Sequence, residues 1–231
     1  MRILRARTAV RWSAVAVGAV IAVTACGPLQ LGAVATYGNQ RITTASLSAQ
    51  VANLNSAYQA DKTKVKLGYS PAEMPREALS WMLRFAAREQ LAARQGITVT
   101  TGEEQRSLAA IGLSVRQNGG GTLAQAAVAA GLPPDLLTEL GRYVAIQSKL
   151  ENRLDLGVAP KSSAAAQALN VRFNRLECLV AKSMNIAVNP QYGALDYSQY
   201  AVVPVTSALA APAPGASKPS ASPSPQLTPA C

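Results

Sequence analysis

Pro75-Arg76-Glu77-Ala78-Leu79-Ser80-Trp81-Met82-Leu83-Arg84-Phe85-Ala86-Ala87-Arg88-Glu89-Gln90-Leu91-Ala92-Ala93-Arg94-Gln95-Gly96 is the stretch on which the fold turns. A proline suits the first turn of a helix, because the amide it lacks has no intrahelical partner there, and a glycine suits the exit. Between them Leu79, Trp81, Met82, Leu83, Phe85 and Ala86 cover nearly the whole circumference. A helix apolar all round belongs in the middle of other helices. A second reading, in which Trp81 and Phe85 are displayed to bind unfolded clients, stays open at this point.

Outward from this helix the pattern stays helical. On the N-terminal side, Ala33–Tyr37, a turn at Gly38-Asn39 and then Arg41-Ile42 read as a short strand or hairpin. Thr43 or Thr44 then caps a helix carrying Leu47, Val51, Leu54 and Tyr58 at helical spacing. The polar, Lys-rich stretch 60–70 reads as a loop. On the C-terminal side, Thr100 with Glu103, or Thr101 with Glu104, has capping-box spacing and opens a helix with Leu108, Ile111 and Val115.

Gly119-Gly120-Gly121 lacks the Gly-Lys-Ser/Thr of a phosphate loop and reads as a joint. A short helix over 122–130 follows, then Gly131-Leu132-Pro133-Pro134. A long helix over about 135–156 has Leu137, Leu140, Val144, Gln147, Leu150 and Leu154 as its seam. Another begins at Pro160-Lys161-Ser162, with Leu169, Phe173, Leu176 and Val180 as its stripe, before a short extended piece and turn over 186–193. The expected fold is mainly α. It is a compact domain of five to six helices over 33–202, with a short strand or hairpin element drawn from its two ends.

The flanks differ in kind. Residues 1–25 carry Arg2, Arg5, Arg7 and Arg11, an apolar run from Ala14 to Val23, and Val23-Thr24-Ala25 before Cys26. Basic start, short apolar core and small residues mark a secretory signal. With Cys26 after Val-Thr-Ala, this signal resembles the lipobox of bacterial lipoproteins. That resemblance implies acylation of the Cys26 thiol, a tether over 26–32 and membrane lipid as a partner. Two acyl chains are what stable anchoring takes, since one binds only marginally. Loss of the four leader arginines brings the formal charge from +10 to +6. Residues 203–231 turn to Pro, Ser and Ala, as in Ala211-Pro212-Ala213-Pro214. Such a composition lacks the apolar side chains that offset ordering entropy, so this tail is expected to be disordered.

The chain of 231 residues has no histidine and three cysteines. That removes His-based acid–base catalysis and most zinc sites, so no catalytic residue, metal or cofactor is expected. Glu73-x-x-Arg76 and Glu151-x-Arg153 place carboxylates beside arginines on helices, as solvated faces do. No basic stripe with interleaved aromatics points to nucleic acid.

The order of elements resembles the N-terminal chaperone domain of the SurA/PrsA-type exported foldases. The likeness is carried by Val34-Ala35-Thr36-Tyr37-Gly38-Asn39-Gln40-Arg41-Ile42-Thr43, by Leu79 to Glu104, by Ala130-Gly131-Leu132, and by Val188-Asn189-Pro190-Gln191-Tyr192-Gly193. Tyr37 stands where the family has Asn. The resemblance implies a helical cradle for unfolded exported polypeptides. Between the last helix and the tail there is no room for the family's parvulin isomerase domain, so isomerase activity is not expected. The expected protein is a lipid-anchored holdase-type chaperone or secretion accessory on the outer face of a bacterial membrane. Its alternative is an envelope lipoprotein that keeps the fold and binds one folded partner.

Cys178 and Cys231 remain once Cys26 is acylated. An exported pair invites a disulfide, and free thiols or an intermolecular link are the other readings. Two positions past Leu176, Cys178 is expected to point off the apolar stripe, within easy reach.

Overall fold

The computed structural model describes residues 32–119, 121–154, 163–198 and 200–205. The stretch expected to be a leader, Cys26 with its expected lipidation, and the Pro-rich tail with Cys231 lie outside these residues. The fold is mainly α, with six helices and a few short antiparallel strands among the described residues.

Strands β1 (Ala33–Tyr37) and β2 (Gln40–Thr43) form the expected hairpin, with Gly38 at φ +53° taking the turn position that disfavours a side chain. Thr43 then caps α1 (Thr44–Ala60), its hydroxyl accepting from the Ser46 amide. Leu47 and Leu54 of α1 are buried, at the spacing the sequence shows. The 61–70 loop is pinned by Val65, buried against Leu54, Met74 and Val128.

Helix α2 (Met74–Arg94) is the central element. Ten of its side chains are buried, spread around its circumference. Around it stand α1, α5 (Leu137–Leu154) and α6 (Ser163–Ser183). Helix α3 (Thr101–Gln117) starts with the full capping box, Thr100 paired reciprocally with Glu103, and α4 (Leu123–Ala129) starts with another between Thr122 and Gln125. Helices α3 and α5 pack closely because Gly141 has no side chain. A Cβ there would lie 2.7 Å from the Glu104 carbonyl oxygen.

After α6, strand β3 (Ala187–Val188) pairs antiparallel with β1, giving the order β2-β1-β3. The two ends of the domain thus share one sheet, and the Gly38 amide donates to the Met184 carbonyl at 2.7 Å to close it. A second hairpin, β4 (Ala194–Asp196) with β5 (Ala201–Val203), was not legible in the sequence. Its Leu195 and Val202 plug the core beside Leu79 and Leu83. The Val202 amide donates to the Ser80 hydroxyl on α2 at 2.8 Å. Val203 is therefore structural, paired with Ala194, rather than the first residue of the tail.

Candidate functional site

Helix α2 lays one wall of an open cleft, α5 and α6 supply the others, and the β4–β5 connection closes one end. The cleft has a volume of about 730 Å³ and is lined by Trp81, Tyr143, Cys178, Tyr197 and Tyr200, with Arg84, Arg175 and Glu177 among the charged groups. Four aromatic rings on one open concave surface make it the most ligand-like feature among the described residues.

Each wall residue is held in place. The indole of Trp81 donates to the Ala130 carbonyl at 2.9 Å, which fixes the ring against the α4 exit. Arg84, one turn on, has its guanidinium 4.9 Å from the Trp81 ring centre and donates from Nε to the Tyr200 carbonyl at 2.8 Å. Tyr200 adopts φ +50°, a left-handed conformation that costs a residue with a Cβ about 1–2 kcal/mol. Strain of this size concentrates where a loop is held for function. The loop before it is set by Asp196, whose carboxylate accepts from the Ser198 amide at 2.8 Å.

Beneath the cleft lies a buried charge cluster. Arg88, 1% exposed, donates to Glu177 and to the Tyr143 hydroxyl, and its guanidinium stacks 3.8 Å from the Tyr143 ring and 4.5 Å from Phe173. Burial pushes the carboxyl of Glu177 above its ordinary range, against the opposing pull of Arg88. Burial also raises the phenols of Tyr143, Tyr197 and Tyr200, so all three stay protonated at neutral pH. The phenol hydroxyls turn inward, Tyr143 accepting from Arg88, Tyr197 donating to the Ile186 carbonyl and Tyr200 buried, so the cleft offers flat ring faces and guanidinium donors. That donor set suits an extended polypeptide, whose side chains stack on rings and whose carbonyls accept from arginine.

The sequence candidates fall as follows. Trp81 and Phe85 are brought together, ring centres 5.7 Å apart, but in different roles. Trp81 faces the cleft. Phe85 is 8% exposed and sits behind it, edge-on to Tyr143, with Ala127 and Leu132. Cys178 departs from expectation. It is buried at 6% exposure, on the side of α6 that the helix pattern leaves off the stripe, and it lines the cleft together with Tyr197 and Tyr200 of the unforeseen hairpin. Cys178 is disulfide-bonded, and its partner lies outside the described residues.

Leu169 and Leu176 are only half-buried, and the buried side chains of α6 are Phe173, Cys178, Val180 and Ala181, followed by Met184 just past its end. Arg88 escaped the sequence reading altogether, since an arginine between alanine and glutamate reads as surface. Its one signal was position, on the inward side of a helix with no polar face.

The acidic residues pair between helices more than along them. Glu73 does meet Arg76 at 2.5 Å, but Arg142 of α5 takes both Glu89 of α2 and Glu104 of α3, and Lys149 takes Glu103. Glu151 accepts from Gln147. Among the described residues no three His, Cys, Asp or Glu side chains converge as metal ligands, and no helix is long and apolar enough to cross a membrane.

No protein-family model, curated protein or solved structure matches this chain.

Proposed function

We propose that this protein is a lipid-anchored extracytoplasmic lipoprotein that holds unfolded exported polypeptides in the Trp81–Tyr200 cleft, without isomerase or other catalytic activity. The observation that carries the reading is the cleft itself, open and lined by Trp81, Tyr143, Tyr197 and Tyr200 with arginines at hand. An open, aromatic surface tolerates many side chains, which a holdase needs and a selective enzyme pocket does not. The lipobox pattern ending at Cys26 supplies the anchor, and the net positive charge favours an anionic lipid surface. The likeness to SurA/PrsA-type chaperone domains in element order supports the client class.

The test is suppression of aggregation of a chemically unfolded secretory polypeptide by the full chain carrying Cys26→Ala. Suppression that weakens in Trp81→Ala supports the reading. Absence of suppression, both with and without reductant, overturns it. One stoichiometric folded partner, recovered by crosslinking in the membrane, favours the envelope-interaction alternative instead.

A further inference from the structure

The Lys-rich loop between α1 and α2 takes no part in the aromatic cleft, yet it is built as more than a connection. Lys62, Lys64 and Lys66 fall at alternate positions. Val65 between them is buried against Leu54, Met74 and Val128, and Leu67 packs on the same cluster, whereas all three lysines are exposed.

The backbone that carries these lysines is held on both sides. The amides of Lys64 and Val65 donate to the Asp61 carbonyl at 2.8 and 2.9 Å, and the Gly68 amide donates to the Ala129 carbonyl at 3.0 Å. The Tyr69 hydroxyl donates to the Val128 carbonyl at 3.0 Å. Ordering the loop is therefore a cost already met in the fold, before any ligand arrives.

The three lysines line one pocket of about 460 Å³, with the rings of Tyr58 and Tyr69 on its wall, and no acidic side chain is among its lining residues. The carboxylates that flank the loop in sequence are engaged. Asp61 takes Lys64 at 3.5 Å and Gln125 Nε2 at 3.1 Å, and Glu73 takes Arg76 and the Ser70 amide. One lysine is enough to complement the carbonyl end of α1. Three ammonium groups around one recess repel each other, and a bound anion relieves that repulsion.

The donor type narrows the anion. Arginine's planar fork matches a carboxylate, while the lysine ammonium is a compact point charge that also serves phosphate oxygens. The chain is richer in arginine than in lysine, yet no arginine lines this pocket. We propose that the Lys62–Lys64–Lys66 pocket binds a phosphate ester, with its oxygens on the ammonium groups and its organic part against the rings of Tyr58 and Tyr69. A phospholipid headgroup and a soluble phosphate ester offer the same group. The site depends on neither the lipid anchor nor the cleft.

The test uses the full chain carrying Cys26→Ala, so that no acyl chain contributes. One arm measures cosedimentation with vesicles of phosphatidylglycerol against vesicles of phosphatidylcholine. The other follows Tm as glycerophosphate is added at constant ionic strength. Preference for phosphatidylglycerol makes a lipid headgroup the source, and a Tm that rises with glycerophosphate makes it a soluble ester. In the responding arm, Lys62→Ala with Lys66→Ala should weaken binding about fivefold per charge removed. Lys62→Arg with Lys66→Arg should keep most of it. Arg106→Ala with Arg116→Ala, which removes the same charge from exposed positions on α3, should change it little. No response in either arm, or a loss no larger in the lysine variant than in the arginine one, overturns the proposal. No polypeptide client is present, so this result and that of the holdase test are read separately.

Discussion

Arg88 on α2 and Glu177 on α6 meet at 2.5 Å with side chains only 2% and 12% exposed, directly under the aromatic cleft. The pair fixes α6 against the central helix, and Tyr143 completes it from α5. Removing one partner strands the other charge in a desolvated site, which typically costs about 3–5 kcal/mol. Arg88→Ala should therefore lower the urea midpoint sharply, while the double replacement Arg88→Met with Glu177→Leu should recover most of the loss. Equal destabilisation by single and double variants would show that packing, not the stranded charge, is responsible.

Phe85 and Trp81 should separate in their effects. Phe85 is buried among Ala127, Leu132 and Tyr143, so Phe85→Ala should cost about 3–5 kcal/mol of stability, measured by denaturant unfolding. Trp81→Ala should instead show mainly as weaker polypeptide binding, with a smaller stability loss from the missing Ala130 hydrogen bond. A Phe85→Ala protein as stable as the parent would contradict its placement in the core.

The α3–α5 contact rests on a residue without a side chain. At Gly141 a Cβ would approach the Glu104 carbonyl oxygen to 2.7 Å, and backbone cannot swing aside as a side chain can. Gly141→Ala should destabilise the fold by about 1–3 kcal/mol, although alanine is the better helix former. A neutral or stabilising result in thermal unfolding would mean that the two helices separate freely.

Acid should unfold the protein partly through Glu103. Its carboxyl is held down to about 2, first by the Lys149 hydrogen bond and then by the Thr100 amide. A depressed carboxylate stabilises the fold above its unfolded pKa and loses that contribution as the pH falls from about 4.5 towards 2. Glu103→Gln should lower stability above that window, where the charged carboxylate contributes, and flatten its fall across the window. Glu177 acts in the opposite sense. Its raised pKa makes the folded state the better proton binder, so its contribution weakens as the pH rises through the raised value.

The sequence made the helices legible because their signals are local. The Thr43 and Thr100 caps, the all-round apolar Leu79–Leu91 segment and the Gly96 exit each sit within one turn of what they control. Even the union of the two ends of the domain in one sheet was foreseen. What escaped was long-range. Strands β4 and β5 are three residues each, too short for an alternation pattern, and they form because Leu195 and Val202 find a gap beside Leu79. The same hairpin brings Tyr197 and Tyr200 to the cleft that Cys178 also lines, so the cleft was beyond a reading of helix faces. Arg88 was hidden for a related reason, since the partner that makes its burial tolerable lies on another helix.

The most direct measurement is binding of one fluorescently labelled secretory polypeptide in its reduced, alkylated form and in its native form. Each is titrated by anisotropy with the full chain carrying Cys26→Ala, with and without dithiothreitol. Binding of the unfolded form at about micromolar Kd, none of the native form, and weakening by Trp81→Ala is the predicted result. Equal binding of both forms, or none of either in both redox states, would contradict the account.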